Sequence, residues 1–208
     1  MKSIVLAGNK TSSEVDSGYL KRLEVRVARL AEFSEVLVLS NTLDKSSFHS
    51  LPFDVQVKKT PDKTSGALAT AGFGLAFLSD DEPFLITPSN AEVTGNLEQT
   101  FLESMLEKQS AVGAIVFNGR DPLYSYARLG KNGELIEIIE KSVSGSCALA
   151  GFYYFASKKI FSECLEWAMV NNIRTNGNFF ISPALNYFLA KSIEISLFEI
   201  SNEDYLRY

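Results

Sequence analysis

Apolar residues along this chain recur in two alternating rhythms. Short runs that are apolar at nearly every position, at residues 4–7, 35–40, 55–58, 84–87, 111–117, 148–155 and 193–200, read as strands covered on both faces. Between them the apolar positions fall three and four apart. Leu20, Leu23, Val27 and Leu30 predict a helix over 19–31, and Leu97, Phe101, Leu102, Met105 and Leu106 predict a second. Ile160, Phe161, Cys164, Leu165, Ala168 and Met169 form a third helical face. The Ala- and Leu-rich stretch 66–78 and the segment 179–190 are also expected to be helical, and Pro88 to close the strand before it. The β-rich runs flanking Lys131-Asn132-Gly133 predict a hairpin. Its Asn-Gly pair suits a type I′ turn, which needs positive φ at both central residues. Leu135, Ile136, Ile138 and Ile139 are apolar on both faces, so the second hairpin strand is expected to be buried.

Repeated strand–helix units of this kind predict a three-layer α/β fold. Its sheet is mostly parallel and is made mixed by the inserted β-hairpin. No repeat, low-complexity stretch or linker divides the chain, so residues 1–208 read as a single domain.

Composition narrows the classes of function. With 208 residues and 46% apolar content the chain can fill one core. A net charge of −5 argues against a nucleic-acid groove or an anionic membrane surface as partner. The first apolar run is too short for a signal peptide and no run is long enough to span a bilayer, so a cytoplasmic location is expected. Cys147, Cys164 and His49 fit no soft-metal spacing, and the cysteines read as buried, reduced thiols.

Ligands of open α/β sheets bind beyond the carboxyl ends of the strands. After the first strand, Gly8, Asn9, Lys10 and Thr11 offer backbone N–H groups and a cation to phosphates, without the spacing of a P-loop. Thr64, Ser65, Gly66 and Ala67 lead into a helix that Thr64 or Ser65 would cap, turning its N-terminus toward an anion or a nucleobase. Asn90 and Glu92, two apart in an extended segment, are expected to point the same way as half of a hard-metal site. Glu140 and Lys141 end the second hairpin strand, where the lysine can pair with an anion, and Gly151 punctuates the next strand.

Over residues 64–200 the chain resembles the sugar-phosphate nucleotidyltransferases. These are nucleotide-diphospho-sugar-transferase-like α/β enzymes that make nucleotide sugars from a nucleoside triphosphate and a sugar 1-phosphate. The resemblance rests on Thr64-Ser-Gly-Ala67, Phe84-Leu-Ile-Thr-Pro-Ser-Asn90, Tyr126-Ala-Arg-Leu129, Asn132-Gly133, Ile139-Glu-Lys141, Ala150-Gly-Phe-Tyr-Tyr-Phe155 and Phe179-Phe-Ile-Ser-Pro-Ala-Leu-Asn186, in the family's order. It implies that Thr64, Ser65, Gly66 and Ala67 sit near the base, and that Lys141 binds the sugar phosphate beside Glu140. It further implies that Gly151 lines the sugar pocket and that Gly8, Asn9, Lys10 and Thr11 face the triphosphate, with Lys10 and Lys141 as the catalytic cations. Mg²⁺ would be held by Asn90 with Glu92 or Asp204.

Two departures stand out. The family's Gly-rich loop with its arginine and Pro-Lys pair is absent. Asn90 stands where the family carries one metal aspartate, and Arg207 falls where a second is expected. One reading is therefore an enzyme that makes a nucleotide sugar and pyrophosphate. The alternative is a non-catalytic relative that binds a nucleotide or sugar phosphate, or serves as a regulatory or structural subunit. A homo-oligomer is compatible with either, with Phe179 and Tyr187 as interface candidates.

Overall fold

The computed structural model describes residues 1–8 and 10–208. Four parallel strands come first, β1 (Lys2–Leu6), β2 (Glu35–Ser40), β3 (Gln56–Lys59) and β4 (Phe84–Pro88). They are followed by the short β5 (Ala91–Val93), then β6 (Val112–Asn118), β7 (Ser125–Leu129), β8 (Leu135–Glu140), β9 (Cys147–Phe155), β10 (Ile195–Glu199) and β11 (Tyr205–Arg207). The main sheet has the order β10-β6-β9-β4-β1-β2-β3, with β9 antiparallel to both of its neighbours. The β7–β8 hairpin joins through β7 onto β9, and β5 with β11 forms a separate antiparallel pair. The sheet is thus mixed and mostly parallel, as the alternating pattern predicts.

Period-two alternation along each strand sorts the apolar residues into two layers. Ile4, Leu37, Phe84, Ile86 and Phe155 pack under α2 (Ala67–Gly72), α4 (Lys158–Val170), α5 (Ile181–Ala184) and α6 (Asn186–Ala190). On the opposite face, Val5, Val36 and Val38 meet α1 (Ser17–Ala31), while Leu85, Ile115 and Phe152 meet α3 (Leu97–Glu107). Helices α1 and α4 start at a side-chain cap. Asp16 accepts from the Tyr19 amide at 2.7 Å, and Ser157 from the Ile160 amide at 3.3 Å.

Several expectations are corrected. The hairpin is present, but among residues 130–134 only Gly133 has positive φ (84°), and its amide donates to Gly130 O at 3.1 Å. The loop closes as a turn with a left-handed glycine after it, not as type I′. β8 is an edge strand on which only Ile138 is buried, and Ile136 is 44% exposed. Helix α2 stops at Gly72 and continues as a 3₁₀ turn over Phe73–Phe77. Glycine disfavours helix there, and a Cβ on Gly74 would stand 2.8 Å from Ile4 Cδ1. The helix expected over 179–190 begins only at Ile181 and divides at Leu185. Cys164 is buried, Cys147 only half-buried, and both are free thiols. Phe179 is buried and not available as a surface contact. Among the described residues, no helix is long and apolar enough to cross a membrane.

Candidate functional site

A cleft of about 430 Å³ opens at the carboxyl ends of β1 and β4. Leu6 and Gly8, Pro88 and Asn90, Gly66 with Ala67, Ser125, Glu140 and Gly151 all line it. Segments far apart in sequence therefore share one wall, and each is held there by a specific local device.

The first device is a clasp. The Phe179 amide donates to Ser65 O at 2.7 Å, and the Leu68 amide donates to Phe179 O at 3.1 Å. This fixes the start of α2 against the segment before α5. Gly66 has φ 109°, and a Cβ there would lie 2.3 Å from Phe179 O, so only glycine permits the approach. Gly66 is itself the N-cap and supplies no side chain, which corrects the expectation that Thr64 or Ser65 caps α2. Thr64 instead lies buried with its hydroxyl 2.6 Å from that of Thr70. Thr64 and Ser65 border a separate groove, and only Gly66 and Ala67 of this motif reach the cleft.

The second device is a bulge. Ala114 pairs with Tyr153 and Val116 with Leu149, so Ile115 of β6 opposes three residues of β9, among them Gly151. Gly151 takes φ 87° at this point. The extra residues bend β9 and bring Ala150 and Gly151 to the cleft surface.

The third device sets Glu140. The hydroxyls of Ser125 and Ser182 both donate to Glu140 Oε2, and the two hydroxyls lie 2.8 Å apart. Its other oxygen keeps its acceptor capacity for a ligand. Tyr153 is buried beside this group. Burial first, and the Glu140 carboxylate second, hold its phenol well above the usual tyrosine range, so it stays a neutral hydroxyl. Lys141 follows with φ 54°, and its Nζ lies 4.5 Å from the ring centroid of Phe180, a residue of the cleft wall. It stands at the rim.

The fourth device was not anticipated. Arg26 of α1 is only 2% exposed. Its guanidinium donates to Pro88 O, to Ala91 O at 2.5 Å and to Glu98 Oε1 at 3.0 Å, with Phe152 beneath it at 4.8 Å. Burial pulls its pKa below the ordinary arginine value, and the Glu98 carboxylate opposes that pull. The result is a clamp on the turn that carries Asn90. A signal for it exists in the sequence. Arg26 falls in phase with Leu23 and Leu30, and Glu98 in phase with Phe101 and Met105, so each helix carries one charge on its buried face.

The expected metal set does not assemble. In the β5–β11 pair, Ala91 opposes Arg207 and Val93 opposes Tyr205, while Glu92 opposes Leu206 on the alternate face. Asn90 precedes β5 and lines the cleft. Glu92 instead accepts from the Tyr208 hydroxyl and lies 4.0 Å from Arg29. Asp204 accepts from the Thr94 hydroxyl at 2.5 Å. This corrects the expectation that Asn90 and Glu92 point the same way. Among the described residues, no group of three Asp, Glu, His or Cys side chains could hold a metal ion. A neutral amide, a cation-paired glutamate and a hydroxyl-bound aspartate are not a Mg²⁺ donor set.

Lys10, Thr11 and His49 lie apart from the cleft lining. Lys10 packs over the Tyr19 ring at 4.9 Å and exchanges hydrogen bonds with Asn41. The Thr11 amide and hydroxyl both donate to Glu14, at 2.7 and 2.8 Å. Asn9 lies outside the described residues. His49 is exposed, its Nδ1 2.9 Å from Ser46 O.

Tyr205 and Arg207 complete the wall. Tyr205 stacks on Phe117 at 4.3 Å, Tyr124 meets both rings edge-on, and the Arg207 guanidinium lies 5.2 Å from the Tyr124 centroid. Burial, reinforced by Tyr124, pushes the Tyr205 phenol up to about 12.

No protein-family model matches the chain, and no curated protein matches it either. Its fold does match solved structures. A crystal structure from Bacillus anthracis in complex with sucrose, described as a glucose-1-phosphate thymidylyltransferase, superposes with a TM-score of 0.74 at 18% identity, covering 97% of this chain and 87% of that one. The nucleoside-diphosphate-sugar pyrophosphorylase of Vibrio cholerae RC9 gives a TM-score of 0.75 at 16% identity, covering 100% of this chain and 95% of that one. The architecture is therefore the sugar-phosphate nucleotidyltransferase-like fold.

Proposed function

We propose that the cleft takes a nucleoside triphosphate and a sugar 1-phosphate, and that the protein makes a nucleotide sugar from them. The single observation that supports this most is convergence. Gly8, Gly66, Asn90, Glu140 and Gly151, each from a different segment, line one cavity at the carboxyl ends of the parallel strands, where such sheets bind ligands. On this reading, Gly66 and Ala67 receive the base, Glu140 accepts sugar hydroxyls, and Lys141 at the rim meets the sugar phosphate. A phosphate oxygen of the sugar attacks the α-phosphorus, and pyrophosphate leaves as the new bond forms. Fixed dipoles and cations aimed at the developing charge would lower that barrier.

A second reading, a non-catalytic binder of nucleotide sugars or sugar phosphates, is favoured by the dispersal of Glu92 and Asp204 away from Asn90. One experiment separates the two. The purified protein is mixed with each common nucleoside triphosphate and with glucose, galactose, mannose and N-acetylglucosamine 1-phosphates, with and without Mg²⁺, and pyrophosphate is measured. Release that Lys141→Ala reduces by about 10-fold or more supports the enzyme. Binding of the same ligands without any release supports the binder. Neither binding nor release rejects both.

A further inference from the structure

Of the described residues that line the cleft, two carry a charge, Glu140 and Arg207. Arg207 belongs to β11, whose register sets it opposite Ala91, next to Asn90. That strand is tied to the same turn by the Tyr208 amide, which donates to Asn90 O at 2.9 Å. Arg26, Arg29 and Arg128 each pair with a carboxylate. Among the described residues no carboxylate pairs with Arg207, whose guanidinium rests against the Tyr124 face. A planar, permanently charged fork held on an aromatic ring is suited to bidentate contact with phosphate oxygens. A divalent cation beside Asn90 would be repelled by this guanidinium, and Glu92 and Asp204, the carboxylates expected to join Asn90 around it, are engaged with Tyr208 and Thr94 instead.

We propose that Arg207 binds the phosphate of the cleft's ligand directly, in the place of a divalent metal, so that binding here is metal-independent. This rests on the reading of the cleft as a site for phosphorylated sugars, and it holds whether or not turnover follows. The Asn90 side chain would add a neutral donor beside the guanidinium. Specificity would then fall on ligands whose phosphates reach the β5–β11 edge of the cleft while the sugar reaches Glu140. A nucleoside diphosphate sugar has that layout.

The test is titration calorimetry with UDP-glucose, dTDP-glucose, GDP-mannose, ADP-glucose and CDP-glucose, each in EDTA and again with excess Mg²⁺. We expect one of them to bind the wild-type protein with the same Kd in both conditions. Arg207→Ala should weaken it by roughly 10- to 100-fold, the worth of a charged hydrogen bond. Arg207→Lys should fall between, since it keeps the charge and loses the fork. Arg128→Ala, on the outer surface of the hairpin, should bind like wild type. Because Arg207 is exposed, its variants should unfold at the wild-type midpoint. Binding that requires Mg²⁺, or binding that Arg207→Ala leaves intact while Glu140→Ala abolishes it, overturns the proposal and spares the cleft. If wild type binds none of the five, the reading of the cleft fails and this role for Arg207 fails with it.

Discussion

At the scale of single residues, the largest electrostatic commitment is the buried Arg26–Glu98 pair. Both residues are 2% exposed. Removing one partner from a buried pair costs roughly 3–5 kcal/mol, and Arg29, its Nε 3.4 Å from Glu98 Oε2, puts the loss of Arg26 toward the lower end of that range. Arg26→Met should show a loss of that size in urea unfolding, and it should also loosen the Pro88–Ala91 turn. The double variant Arg26→Met, Glu98→Met should recover much of the stability, because an apolar pair of similar volume carries no desolvation penalty. A loss below about 1 kcal/mol in the single variant would reject the clamp. Both charges were legible in the sequence as misfits within apolar stripes, but their partnership was not. Nothing in a helical period says which face of another helix will lie opposite. Gly66 and Gly151 were visible as punctuation, yet the reason for each is tertiary, a backbone approach from Phe179 in one case and a bulge in the other.

At the scale of elements, β8 shows how an edge strand can be kept in register. On one edge it pairs with β7. On the other, the Asn186 side chain accepts from the Ile138 amide at 2.9 Å and donates to Ile138 O at 2.8 Å, imitating a neighbouring strand. Glu140 lies two residues further along. Asn186→Ala is expected to cost about 1–3 kcal/mol, the usual worth of two such bonds, and to raise hydrogen exchange at the Ile138 amide. Exchange as slow as in the wild type would show that β7 alone holds the strand. The sequence-based expectation of a fully buried β8 fails here because four apolar residues in five positions do not reveal whether one or both faces are covered. Likewise the segment 179–190 cannot begin its helix at Phe179, whose backbone is already committed to Ser65 and Leu68.

At the scale of the whole molecule, the core imposes a pH limit. Burial pushes the Cys164 thiol from its ordinary 9.0 up to about 12. The unfolded chain releases that proton near pH 9 while the folded chain keeps it, so a raised folded value means stability complete below that pH and lost as pH climbs toward 12. Tyr205 adds the same sign over the upper part of this window. The thermal midpoint should therefore fall above about pH 9, and more shallowly in a Cys164→Ala, Tyr205→Phe variant. An equally steep fall in that variant would place the loss in other groups. The same scale separates what each level of description supplied. The order of the main strands and helices, the mixed and mostly parallel sheet and the hairpin follow from the sequence, because burial on two faces and helical phase leave local marks in the chain, whereas the short β5 and β11 leave none. Which of the candidates share a cavity was decided by tertiary structure alone. Register between β5 and β11 turns Glu92 toward Arg29 and Tyr208, and Arg207 toward the cleft. Side-chain direction on a strand reverses with every residue, and pairing with a distant strand is what selects the face that meets a ligand.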